Sequence, residues 1–444
     1  MSLSRGVGLG SLGLSNSLPN LGGSGTEDGS DPTTRFAPGA NSAWDFINNY
    51  ARFKDVYYGP LANTPGWSFT RASTGYAQTS AGALQSFASG ELRRTDKGVL
   101  IEGSGTNLCL QSQTFDNASW TKNQSSVSAN ATTAPDGTST ADLLTEDSTA
   151  GAVHRATQSP TTTAAAHTAS VYVKPNGRTW VYMRMTDNTS TPRRCYFNCS
   201  GSGSVGTAES GMTGSIAALA NGWYRISAKI GTALAGANFL VFGLSSADNT
   251  ETYNGDGASG AYLWGAQLEA TAYASSYIPT TTASATRAAD VLTVTGVTGL
   301  DYPLSLYAEF EIASTVSSWS GALLTVSDGT VAERAFLAGD GSATAKLNAQ
   351  SRKASAVEGN VSSAATLSVG AVYKGAARFT TNDVNIALSG AAGTADTTAT
   401  NPTAPTQINF GANVAGANPF YGYLRRLAIF SRALSDAELQ AMTT

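Results

Sequence analysis

The sequence predicts an all-β protein: two β-sandwich (jelly-roll) domains preceded by a glycine-rich extended N-terminal segment. Three observations carry this. Short apolar or alternating runs of strand length recur from residue 108 to the C-terminus, separated by turn clusters such as PDGT (135–138), PNG (175–177) and NGDGASG (254–260). Helix signals are scarce; the clearest is SDAELQAM (435–442), where Ser435 followed three residues later by Glu438 forms a capping box. The composition favours small side chains: 47 of 444 residues are glycine and only 13% are charged, against about 25% in an ordinary soluble domain. A hydrophobic content of 41% with 9% aromatics still suffices for packed cores.

Along the chain, residues 1–35 form a low-complexity head in which leucines recur between Gly and Ser without a helical period. Such a segment builds no core of its own. Its six leucines suggest a peptide that orders against a partner, so it reads as an anchor. Residues 36–107 read as a connector of small strands and hairpins, with an aromatic-rich stretch from Ala43 to Tyr58 that has room for one short helix or turn. Residues 108–288 carry the first sandwich, with SVYVKP (170–175), WVYMRM (180–185), WYRISAKI (223–230), FLVFGL (239–244) and AYLWGAQLE (261–269) as strands. Residues 289–444 carry the second, from LSLYAEFEIA (304–313) to YLRRLAIF (423–430), closed by the capped helix.

Charge and rare residues restrict the chemistry. With 27 basic and 31 acidic residues the net charge is −4, and no basic run exceeds two residues, so a nucleic-acid partner is not expected. No apolar run approaches the ~18 residues of a membrane helix. No basic-then-apolar leader opens the chain, so a standard secretory signal is not expected either. Cys195 and Cys199 on one strand would stand about 13 Å apart, beyond the ~7 Å that a disulfide spans. With Cys109 they are expected as free, partly buried thiols. His154 and His167 are the only histidines. No nucleophile-elbow motif lies near either, and both are expected at the surface or a strand edge.

Several motifs in fixed order carry a resemblance. GVLIEGSGTNLCLQSQTFDNASWTK (98–122), APDGTSTADLLTE (134–146), HTASVYVKPNGRTW (167–180), NGWYRISAKI (221–230), YNGDGASGAYLWGAQLEA (253–270) and SYIPTTTASATRAADVL (276–292) resemble the jelly-roll carbohydrate-binding-like module of phage tail-fibre, tail-spike and head-fibre proteins. The likeness spans residues 67–292. YGYLRRLAIFSRALSDAELQAM (421–442) resembles the last strand and helix of concanavalin A-like, laminin-G-type sandwiches. The resemblance implies a virion surface protein with glycan-binding-type folds. Laminin-G-type sandwiches often hold calcium, but residues 293–444 show no cluster of acidic ligands, so no metal and no cofactor is expected.

Candidate site residues follow from the loop SADNTETYNGDGASG, which joins two strands at a sandwich end, where ligand contacts concentrate. Glycan cleavage uses two carboxylates across the scissile bond, and Asp248, Glu251 and Asp256 lie close in sequence. Turn chemistry is the stronger account of Asn254-Gly255-Asp256-Gly257, with glycines at positive φ and Asp bonding its own backbone. The loop is therefore read as a binding candidate through Asp248, Asn249, Tyr253 and Asp256, with no catalytic residue assigned. Tryptophans 120, 180, 223 and 264 read as core filling, Trp223 and Trp264 pointing inward, because each ring buries about 150–250 Å². Trp319, in the turn-like STVSSWSG, is the tryptophan expected to be exposed as a contact residue. The resulting expectation is a non-enzymatic virion surface fibre or spike protein. It would anchor to other virion proteins through residues 1–35, attach to host cell-surface polysaccharide, and assemble as a homo-oligomer, a trimer or, at a capsid vertex, a pentamer. The alternatives are a tail-spike glycanase or lyase, and a purely structural decoration protein.

Overall fold

A computed structural model describes residues 31–314 and 320–444. The head up to residue 30 and Trp319 lie outside the described residues. The described chain is built almost wholly of antiparallel strands in two sandwiches, followed by one α-helix, Asp436–Thr443. That helix starts at the capping box: Ser435 Oγ accepts from the Glu438 N–H, and the Glu438 carboxylate accepts from the Ser435 N–H at 2.7 Å.

The first sandwich pairs two six-stranded sheets. One runs Thr121–Asn123, Arg155–Gln158, Leu240–Ser245, Trp180–Thr186, Pro192–Asn198, Ser204–Ala208. The other runs Ser125–Thr132, Ala141–Glu146, Gly260–Glu269, His167–Asn176, Tyr224–Ile230, Met212–Ala218. Spatial neighbours are mostly not sequence neighbours, because the chain passes back and forth between the sheets. Period-two alternation sets the faces. In Tyr224–Ile230 the residues Tyr224, Ile226, Ala228 and Ile230 are buried while Arg225, Ser227 and Lys229 are half-buried. Trp120 stacks on Phe115 inside this core, with ring centroids 4.8 Å apart. Trp223 and Trp264 are buried too, but in a separate apolar cluster on the outer face of the second sheet, under Tyr76, Leu84 and Tyr277. Gly265 creates that arrangement: its φ of +67° kinks the strand where Trp264 turns outward, and a Cβ there would press the Tyr172 ring at 3.0 Å.

The second sandwich draws on both ends of the described chain, which corrects the reading of residues 36–107 as a connector. Ser42–Asp45, Tyr50–Phe53 and Val56–Gly59 form an antiparallel meander, not a helix, and extend a ten-stranded sheet beside Gly422–Phe430. Trp44, Phe46, Ala51 and Phe53 alternate into the core, and Lys54 and Asp55, both at positive φ, make the tight two-residue turn. Gly98–Ile101 pairs with the same C-terminal strand, and Trp67–Thr70 closes the facing seven-stranded sheet.

A buried ionic joint connects the two sandwiches. Arg71, Arg93 and Arg287 face Glu102 and Asp290, all five almost without solvent exposure. Arg93 bonds Glu102 at 2.6 Å and also Asp290, while Arg71 reaches Asp290 at 3.2 Å and Arg287 lies 3.5 Å from Glu102. Glu102 in turn accepts from the Ser276 N–H at 2.9 Å and its hydroxyl at 2.6 Å, at the exit of the first sandwich. Cys109, Cys195 and Cys199 are free and fully buried.

Candidate functional site

The loop after Leu240–Ser245 does not gather its residues into one site. Asp248 accepts from the Thr207 N–H at 2.8 Å and its hydroxyl at 3.0 Å, pinning the loop to the edge strand. Asn249 is exposed at a turn with φ 53°. Tyr253 is buried instead of displayed: its hydroxyl donates to Glu146 at 2.6 Å and Arg178 covers its ring at 5.0 Å. Asp256 accepts from the Ser259 hydroxyl and from the N–H groups of Ser259 and Ala258, and these bonds hold its carboxyl well below the usual carboxylate range. Asn254-Gly255-Asp256-Gly257 is turn chemistry.

Both histidines are fully buried, which corrects the expectation of surface or edge positions. The His154 ring packs on Tyr253 with centroids 4.7 Å apart, and each Nδ1 bonds a backbone carbonyl: Gln124 at 2.6 Å for His154 and Ala165 at 3.0 Å for His167.

The residue in this loop that organises its surroundings is Glu251. Its carboxylate bonds Arg194 at 2.6 Å and Arg155 at 3.2 Å, with Arg184 at 3.7 Å, all on the outer face of the first six-stranded sheet. Register builds this face from distant stretches. One row reads Asn123, Arg155, Gly243, Tyr182, Tyr196; the next reads Thr121, Thr157, Val241, Arg184, Arg194. Gly243 is required here, because a Cβ would enter the Tyr182 ring that lies across it.

At the open end of these rows is a groove of about 430 Å³. Phe239 forms one wall, 54% exposed. Alternation explains its position: Leu240, Phe242 and Leu244 point into the core, so Phe239 and Val241 share the outer face. Just before it, the buried Asn238 side chain bonds Thr186 N and O, both at 2.9 Å, and fixes the backbone. The floor presents Arg155, Thr157, Asn123 and Arg184. Asn123 accepts from Thr157 at 3.1 Å, and its amide N–H groups have no hydrogen-bond partner among the described residues. Sequence reasoning missed Phe239; the one signal was an aromatic placed out of phase with the buried residues of FLVFGL.

A general acid needs a carboxyl with a raised pKa. Burial pushes two carboxyls up, Asp142 and Glu269, and both accept backbone N–H groups: Phe115 and Asn130 for Asp142, Ser275 for Glu269. Neither faces the groove. Among the described residues no three His, Cys, Asp or Glu side chains are grouped to hold a metal ion.

No protein-family model matches this chain, and no curated protein matches it. Among solved structures it is similar to the CBM40 of the Ruminococcus gnavus IT-sialidase bound to α2,3-sialyllactose, at 16% identity over 33% of this chain and 84% of that one, TM-score 0.28. It is also similar to mouse laminin α1 chain domains LG4-5, at 13% identity over 62% and 88% of the two chains, TM-score 0.22. A third is the CBM22-1-CBM22-2 tandem domain of Paenibacillus barcinonensis Xyn10C, at 9% identity over 74% and 98%, TM-score 0.23. At these scores the likenesses carry no argument about ligand or activity.

Proposed function

We propose that this chain is a non-catalytic glycan-binding protein of a virion surface, and that the Phe239 groove is where its first sandwich meets sugar. The observation that carries the glycan reading is Phe239, a large aromatic left exposed beside the Asn123 amide and the guanidinium groups of Arg155 and Arg184. The apolar C–H face of a hexose stacks on such a ring, while its hydroxyls exchange hydrogen bonds with the floor. The virion reading is supported by the ordered motifs between residues 98 and 292. In it, residues 1–35 anchor the protein to other virion proteins, and copies assemble so that weak sites gain avidity.

Full-length protein is to be tested on an array of bacterial capsule and O-antigen fragments, beside Phe239→Ala. The expected result is binding to at least one fragment, weakened at least tenfold by the substitution, with no shortening of the polysaccharide. Binding unaffected by Phe239→Ala overturns the site. A drop in polymer size overturns the non-catalytic reading in favour of a tail-spike glycanase or lyase, and an array without signal favours pure decoration.

A further inference from the structure

The second sandwich has its own polar face. In Arg334–Gly339, Ala335 and Leu337 enter the core, so Arg334, Phe336 and Ala338 lie outside. In Lys346–Lys353, Leu347 and Ala349 enter the core and Asn348, Gln350 and Arg352 lie outside. Register sets Arg334 against Arg352, Phe336 against Gln350 and Ala338 against Asn348, with Asn360 beside Gln350 on the next strand. The loop Asn413–Asn418 forms the far wall of a groove of about 310 Å³, large enough for a small saccharide.

Arg334 sets this groove apart. Five arginines among the described residues are at most 9% exposed: Arg71, Arg93, Arg287, Arg334 and Arg378. Four of them sit against carboxylates. Arg334 has none; its guanidinium lies over the Phe336 ring at 5.0 Å and donates one hydrogen bond, from Nη1 to Asn413 Oδ1 at 3.1 Å. Its side chain lines the groove, and its buried Nε has no hydrogen-bond partner among the described residues. Arg352 adds a second cation, bonded to Gln350 Oε1 and the Ser355 carbonyl, again with no acid. The nearby Asp340 carboxylate is occupied by the Ser342 and Lys346 N–H groups of its own turn. Burial and the neighbouring Arg352 both work against the charge on Arg334 and lower its pKa. A buried cation without a counter-charge is costly, and an anionic ligand would offset that cost.

We propose that this groove is a second binding site, distinct from the Phe239 groove, and that it takes a carboxylate-bearing saccharide with Arg334 as the anion-binding group. The guanidinium fork matches a carboxylate in bidentate geometry. The sugar is indicated by what surrounds the charge. Asn348 Oδ1, Asn360 Nδ2 and Asn413 Nδ2 have no hydrogen-bond partners among the described residues, and they offer acceptor and donor groups to hydroxyls along an open sheet face.

The test is calorimetry of the full-length protein against a panel of uronic and nonulosonic acid oligosaccharides, each beside its carboxyl-reduced neutral counterpart, with tri-glutamate as the peptide control. The expected result is binding of at least one acidic saccharide, at least tenfold weaker for its reduced form and for Arg334→Gln, and unchanged in Phe239→Ala. If Arg334→Gln does not fold, Arg352→Gln and the carboxyl-reduced arm on wild-type protein decide. No binding across the acidic panel overturns the proposal. So does equal binding of acidic and reduced forms, or tri-glutamate binding as tightly as the saccharide. A loss confined to Phe239→Ala would assign the ligand to the other groove and overturn this one.

Discussion

Replacing Glu102 by glutamine probes the joint between the sandwiches. Burial would push its carboxyl up, but the guanidiniums of Arg287 and Arg93 and the Ser276 hydroxyl outweigh burial and bring it from 4.5 down to about 2. A carboxyl depressed in the folded state contributes stability that is complete above its unfolded value and is lost as pH falls through the folded one. The descent corresponds to about 3 kcal/mol, consistent with the roughly 3–5 kcal/mol lost when one partner of a buried pair is removed. Glu102→Gln leaves three buried arginines facing the single carboxylate of Asp290. Urea unfolding followed by tryptophan fluorescence should therefore show the variant about 3–5 kcal/mol less stable at pH 7. The gap should close between about pH 4.5 and pH 2, because wild-type Glu102 itself becomes protonated there. A gap below about 1 kcal/mol at pH 7, or one that persists unchanged to pH 2, would refute the charge argument.

Gly243→Ala places a methyl group in the Tyr182 ring and should cost about 1–3 kcal/mol, read from the same urea curves, while also weakening any ligand held by the Phe239 groove. Burial pushes the thiols of Cys195 and Cys199 up to about 12, so native protein should resist an aromatic disulfide reagent at pH 8 and react only on unfolding; reductant should leave Tm unchanged. Ser435→Ala removes the hydroxyl that accepts from the Glu438 N–H and should cost about 1 kcal/mol, seen as a lower urea midpoint. Deleting residues 1–30 should leave thermal stability near wild type while incorporation into particles falls. A cut at 35 also removes the buried Asp31 and Thr33, whose hydrogen bond is 2.6 Å, and should lower Tm.

The fold was legible where side-chain period and local chemistry coincide. WYRISAKI alternates cleanly because one face of its strand is buried and the other is partly wet, and the capping box is written in two residues. The segment around Trp44 was not legible as strands. Its apolar residues are dense enough to obscure period two, and its partner, Gly422–Phe430, lies almost 400 residues away. Nothing local records that pairing. In the loop at 248–256 acidic and glycine residues cluster, yet Asp248 and Asp256 accept bonds that hold an edge and a turn, and Glu251 pairs with arginines of the sheet face.

The grooves were illegible for a different reason. A sheet face is assembled across strands, so Asn123, Arg155, Arg184 and Phe239 become neighbours through register alone. No window of sequence contains them. What marks such a face is a residue whose surroundings leave it uncompensated. Phe239 stays in water where its neighbours in the strand are buried, and Arg334 is buried where every comparable arginine has a carboxylate. Either condition costs free energy in the isolated chain, and a bound ligand relieves both: stacking removes the ring from water, and a carboxylate neutralises the guanidinium. The two conditions call for different ligands, an apolar sugar face for one and an anion for the other. An acidic polysaccharide that engaged both proposed grooves would be held at two points, and substitution at either groove would then lower the avidity of the whole without abolishing the affinity of the other.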